Sequence, residues 1–204
     1  GKPDSNTATA FFTAANFLAY GNNLTVVRSV GNLANNAITT GNLQIKNRSV
    51  FEASYLNTTQ SNNYGAFAAR YPGALGNSLS ITVVDTGSNV RSDLFTSVPG
   101  TSSYVSNKNG SNDEMHIVVI DENGLFTGTA GTVLEKWSFV SKAGDARNED
   151  GTSNYYVDVI NARSKYVWWL SHPTEGVNWG DAAADTRLGY DLISSQNYTL
   201  SGGI

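Results

Sequence analysis

Gly131–Leu170, GTVLEKWSFVSKAGDARNEDGTSNYYVDVINARSKYVWWL, carries a strand, a polar loop, a helix and an aromatic strand in unbroken succession. In Val133–Val140, Val133, Glu135, Trp137 and Phe139 alternate with Leu134, Lys136, Ser138 and Val140, the period of a half-buried strand. A charged loop punctuated by Gly144 and Gly151 follows. Beyond it Tyr156, Val159, Ile160 and Arg163 fall on neighbouring helical rows, with the Ser153 hydroxyl placed to cap them. Tyr166–Leu170 is apolar on both faces and predicts a strand covered on both sides, with Trp168 and Trp169 pointing opposite ways.

Working outward, Met115–Ile120 (MHIVVI) is so continuously apolar that it belongs at the centre of the sheet. Asp121-Glu122-Asn123-Gly124 opens a glycine-bearing turn that reaches Gly131 and joins it to the strand above as a hairpin. Leu79–Val84 is a β-branched strand behind the Tyr71–Asn77 double turn, and Tyr198–Leu200 a last one. From Ala10 the pattern is helical, with Phe11, Ala14, Ala15 and Leu18 on one face and Gly21 as left-handed C-cap. Leu24–Val30 then reads as a strand, which makes the start an α/β unit. Ser49-Val50-Phe51-Glu52 matches a capping box for a short helix to Leu56. The same template at Thr132–Glu135 is overruled by strand periodicity. Thr58–Tyr64 is a polar loop, Thr86–Asp113 has room for a hairpin with Tyr104 as an anchor, and Ala182–Leu188 for a short helix. The fold class is therefore α/β (α+β): a mixed sheet with helices packed on it and long polar loops, in a single domain over 1–204.

Composition narrows the function. The 204 residues are 40% hydrophobic and 15% charged, enough for a sizeable core under a mostly neutral polar surface. The net charge of −4, without any Lys/Arg cluster, offers no footprint for nucleic acid or an anionic membrane. No apolar run approaches the roughly 20 residues of a spanning helix. With no cysteine there is neither disulfide nor thiolate chemistry. A chain opening at Gly1 rather than Met reads as a piece of a longer protein.

No stretch supplies a catalytic, cofactor or metal constellation. His116 sits inside the central strand and reads as a hydrogen-bonded core histidine, and His172 lies in a loop beside Pro173. No Gly-x-Ser-x-Gly elbow occurs. Asp145–Gly151 is oxygen-rich, but alignment on Gly151 puts Ala146 and Val157 where an EF-hand needs its strongest ligands, leaving a solvated loop. Gly124, Gly128 and Gly131 lack the lysine of a P-loop and precede a strand, so they are turn glycines. Asp121 and Glu122 are the least unsuitable carboxylates for an enzyme. Trp179, in a glycine-flanked loop, is either a core anchor or an exposed contact. Sequons at Asn23, Asn47, Asn57, Asn109 and Asn197 are what an Asn/Ser/Thr-rich chain produces by chance.

AANFLAYGNNLTVVRSV (14–30), AARYPGALGNSLSITVV (68–84), the block from GTVLEK to YVWW (131–169) and YTLSGG (198–203), in that order, resemble the tail sheath proteins of contractile-tailed, T4-like bacteriophages. The resemblance spans nearly the whole chain. It implies a structural protein without catalytic residues, whose copies stack as hexameric rings around the tail tube and contract to drive it through the host envelope. The implied partners are other sheath copies, the tail tube protein, and the baseplate and tail terminator proteins. The implied location is the virion, after assembly in the host cytoplasm. It implies further that this chain is a truncated or protease-resistant fragment without its N- and C-terminal assembly segments, monomeric alone, with 31–64 standing in place of an outer domain. A surface adhesin or receptor-binding module is the alternative.

Overall fold

The computed structural model describes residues 5, 7–56, 64–85, 93–173, 177–183 and 188–204. Most of the Thr58–Tyr64 loop, the beginning of Thr86–Asp113, the Asn57 sequon and most of the Ala182–Leu188 helix lie outside the described residues. The chain divides into two compact units, Gly1–Asn32 and Leu33–Ile204. The first holds α1 (Ala8–Leu18). The second runs α2 (Arg48–Ser54), β1 (Phe67–Ala69), a 3-10 turn at Ala74–Ser78, β2 (Leu79–Val84), α3 (Ser103–Ser106), β3 (Glu114–Asp121), β4 (Thr132–Ser141), α4 (Tyr156–Arg163), β5 (Val167–Trp169) and β6 (Gln196–Thr199). Helices and strands thus combine in an α+β fold.

The larger sheet has the order β4-β3-β2-β6 and is antiparallel throughout. Every residue of β2 is buried, as is every residue of β3 after Glu114, which is what a run apolar on both faces demands. β4 lies at the sheet edge and is half-buried over most of its length, matching its alternation. The β3–β4 ladder shifts register between Met115 and Ile117, opposite Phe139 at φ 55. That irregularity brings the Phe139 amide onto His116 Nδ1 at 3.0 Å. The turn between the two strands uses Gly124, Gly128 and Gly131, all at positive φ.

β1 and β5 form a second, two-stranded antiparallel sheet with Phe67 opposite Trp169 and Ala68 opposite Trp168. Because side chains alternate, one face sends Phe67 and Trp169 into the main core and the other sends Ala68 and Trp168 into a second core. There Phe51 of α2 stacks on Trp168 at 4.2 Å between ring centres. The split expected of the two tryptophans is the one observed. A third cluster gathers Val105, Ala143, Ala146, Ala183 and Tyr190, with Tyr104 packed against it.

Several boundaries differ from the sequence reading. Leu24–Val30 joins no ladder among the described residues and forms no strand. Val26 and Val27 are 76% and 89% exposed, and β-propensity without a neighbouring edge makes no sheet, so the α/β unit is not formed. Gly21 is absent from the positive-φ residues; Ala19 continues α1 in the right-handed region, and the Gly21 amide closes on Phe17 O at 2.9 Å. α2 is capped by Asn47, whose side chain accepts from the Val50 amide at 3.0 Å, rather than by Ser49. α4 starts three residues after Ser153, because that hydroxyl donates to Asp158 Oδ2 at 2.7 Å while Ser153 bridges to Arg147. The stretch before β3 contains α3 rather than a hairpin among its described residues, with Ser102 as its cap.

Candidate assembly surface

The histidines and carboxylates singled out by the sequence are hydrogen-bonded within the chain. The Phe139 amide donates to His116 Nδ1, so Nε2 carries the proton and donates to Ser97 O at 2.9 Å, with Phe95 stacked on the ring at 4.1 Å. This is a hydrogen-bonded core histidine, as read. His172 is half-buried among Tyr156, Trp169 and Trp179. Burial lowers its pKa, opposed by the charge of Asp181. The Trp169 indole donates to the Tyr156 hydroxyl at 2.9 Å, which in turn sits 2.5 Å from His172 Nδ1. Trp179 is 6% exposed and donates to Asp191 O at 3.1 Å, so it anchors the core and is not an exposed contact.

Asp121, fully buried at the end of β3, is a structural carboxylate. It accepts from the Ser78 hydroxyl, the Phe126 and Thr127 amides and the Thr127 hydroxyl, between 2.5 and 2.9 Å. Burial acts to raise its pKa, but these donors outweigh burial and hold it below the usual carboxylate value. Glu122 accepts from Ser80 at 2.8 Å. In the acidic loop Asp145 accepts from the Ala183 amide and the Tyr104 hydroxyl, and Asp150 from both polar groups of Thr152. Among the described residues no three His, Cys, Asp or Glu side chains converge as metal ligands. No described helix is long and apolar enough to cross a membrane.

One charged pair escaped the sequence reading. Lys142, just past β4, and Asp85, just past β2, meet at 2.7 Å with both side chains wholly buried. Lys142 also donates to Asn112 O and Asp191 O, and Asp85 accepts from the Ile193 amide. Burial lowers the lysine pKa, against the Asp85, Asp113 and Asp191 charges that raise it. The pair ties two strand ends across β3. A lysine next to a run of strand residues gives no local sign that it turns inward, because the partner is far away in sequence.

What is left unengaged is apolar surface. α1 buries none of its residues, and Phe11, Phe12, Phe17 and Leu18 are each about half exposed. Thr9, Thr13 and Asn16 share one side of this helix and the apolar side chains take the rest, a broad apolar face on an amphipathic helix. The Leu24–Val30 segment that follows in the chain exposes Val26 and Val27. Exposed apolar side chains of this kind are candidates for contact with other protein.

Comparison with known proteins gives that surface a context. Over 137 residues, 65% of its length, the chain is 35% identical to the tail sheath protein of Salmonella phage ViI. The chain is similar to a phage tail sheath protein. It spans 19% of the length of that sheath protein. No protein-family model matches. The likeness supports a structural, tail-sheath relationship for this part of the chain.

Proposed function

We propose that this chain is part of the structural subunit of a contractile, T4-like phage tail sheath. In that role its copies stack as hexameric rings around the tail tube and contract to drive the tube through the host envelope. The observation that carries the reading is the 35% identity to a tail sheath protein over 137 residues. Physical support comes from the division of the surface. A rigid core with its polar groups internally paired suits a subunit that must slide past its neighbours intact, and the uncovered apolar helix suits attachment to other protein. The proposed partners are further sheath copies, the tail tube, and the baseplate and terminator proteins, with assembly in the host cytoplasm before incorporation into the virion. The chain acts as one sheath domain with 31–64 in place of an outer domain, lacks the terminal assembly segments and is monomeric in dilute solution. The adhesin alternative leaned on an exposed Trp179, and that side chain is buried.

Negative-stain microscopy of the product of the complete reading frame, beside the 204-residue chain, tests the proposal. Stacked rings or tubes from the long product, with dispersed particles from the short one, are expected. A long product that stays dispersed at high concentration, with and without tail tubes, overturns it.

A further inference from the structure

The Trp169 indole can only donate, so the Tyr156 hydroxyl at 2.9 Å accepts from it. That hydroxyl has one proton, and the acceptor it meets is His172 Nδ1 at 2.5 Å. All three groups are satisfied only when Nδ1 carries a lone pair, which puts the proton of the neutral ring on Nε2. Three elements are joined in this way: β5 through Trp169, α4 through Tyr156 and the loop after β5 through His172. Trp179 packs on the same rings, with its centre 6.0 Å from those of Tyr156 and His172. The cluster is tight. At Gly180, φ +86, a Cβ would lie 3.0 Å from the Tyr155 hydroxyl and 3.2 Å from His172 Nε2.

A second proton on the His172 ring goes to Nδ1 and turns that acceptor into a donor aimed at the hydroxyl oxygen. Tyr156 then faces two donors, and its own proton is left without an acceptor among the described residues, in a side chain with no exposed surface. The phenol does not relieve the conflict by ionising, because burial holds its pKa well above the ordinary 10.0. The other titratable groups around the ring, among the described residues, do not compensate. Burial also raises the pKa of Tyr155, at the start of α4, and of Tyr198 in β6, which donates to Pro173 O at 2.6 Å. Lys142 and Asp191 are engaged behind Trp179, the lysine 5.0 Å from its ring centre and Asp191 O accepting from its indole. Burial outweighs the Asp181 charge that favours the imidazolium, so the folded ring gives up a proton more readily than an exposed histidine.

We propose that the Trp169–Tyr156–His172 chain is an acid-sensitive latch, intact with a neutral ring and broken by a proton at Nδ1, whose opening separates His172 from α4 and uncovers the Trp169 and Trp179 rings. The folded chain binds that proton less readily than the unfolded one. The stability the latch contributes is therefore present at neutral pH and is lost as the pH falls from the ordinary histidine value of 6.5 towards the folded one. The latch is a property of the folded chain and does not depend on a role in a sheath.

The test follows the imidazole and indole NMR signals of the ¹⁵N-labelled 204-residue chain from neutral into acidic buffer. The Trp169 indole N–H should move with the same midpoint as the His172 ring, below 6.5. In Tyr156→Phe, which removes the donor that favours the neutral ring, the His172 midpoint should rise. Acrylamide quenching of the wild-type tryptophan fluorescence should increase across the His172 transition. In His172→Gln, whose amide oxygen accepts from the hydroxyl at every pH and takes no charge, that increase should be absent. A wild-type His172 midpoint at or above 6.5, or a Trp169 indole signal that does not follow it, overturns the latch without any variant. An unchanged midpoint in folded Tyr156→Phe, or an equal acid-induced rise in quenching in His172→Gln, overturns it as well.

Discussion

Two buried charges at strand ends behave in opposite ways, and their partners decide how. Lys142 loses hydration completely and recovers it only through Asp85 and two carbonyls. Substitution Lys142→Met takes the ammonium away from the buried Asp85 carboxylate, and breaking a buried pair this way costs about 3–5 kcal/mol. Equilibrium urea unfolding should show that loss, and Lys142→Met combined with Asp85→Leu should regain most of it, because the pair itself must overcome a large desolvation cost. Asp121 is instead surrounded by donors. Its pKa is held below the ordinary 3.8, so the unfolded chain binds the proton more readily than the folded one. The stability it contributes is therefore present above the unfolded value and is lost as the pH falls through the folded one. Between pH 7 and pH 2 the wild-type urea midpoint should fall further than that of Asp121→Asn, which has no charge to lose. Equal pH dependence in the two proteins would show that the carboxylate is not what holds the 121–131 turn. Neither role was fully legible locally: Asp121 reads as any turn aspartate, and although Phe126 and Thr127 come from the turn itself, Ser78 becomes a neighbour only when β2 pairs with β3.

At the scale of elements, legibility follows how local the cause is. MHIVVI and LSITVV announce central strands because burial on both faces leaves a continuous apolar run, and the hairpin to β4 follows from its glycines. β1 was missed because Phe67–Ala69 is only three residues long and depends on pairing with β5, almost a hundred positions away, which no period reveals. Leu24–Val30 fails the other way. Its pattern satisfies a strand, but a ladder needs an edge, and none is present among the described residues. A consequence is measurable by native-state hydrogen exchange. Amides of residues 24–27 should exchange orders of magnitude faster than those of β3, where opening approaches global unfolding. Protection of 24–27 comparable to β3 would mean that the segment pairs in solution. In the complete reading frame's product, the same amides should become protected on assembly.

For the whole molecule, the two-unit division places the described cores in one part and α1 in the other. The described cores are all built from residues of Leu33–Ile204, whereas α1 contributes no buried residue to any of them. Under the proposed sheath role that separation is useful, because a contact surface that also carried the fold would unfold it whenever the contact was exchanged. Residues 22–29 are exposed throughout, and Arg28 offers trypsin a site among them. Brief digestion of the native chain should cut after Arg28 before the folded core, giving a product whose thermal midpoint matches that of the intact chain. The removed segment holds Phe11, Phe12, Phe17 and Leu18, so the trimmed chain should also bind less of a hydrophobic dye such as ANS. A midpoint that drops on trimming would show that α1 and Leu24–Val30 stabilise the core. Attachment and stability would then share one surface, and the subunit would have to release its neighbours by loosening itself.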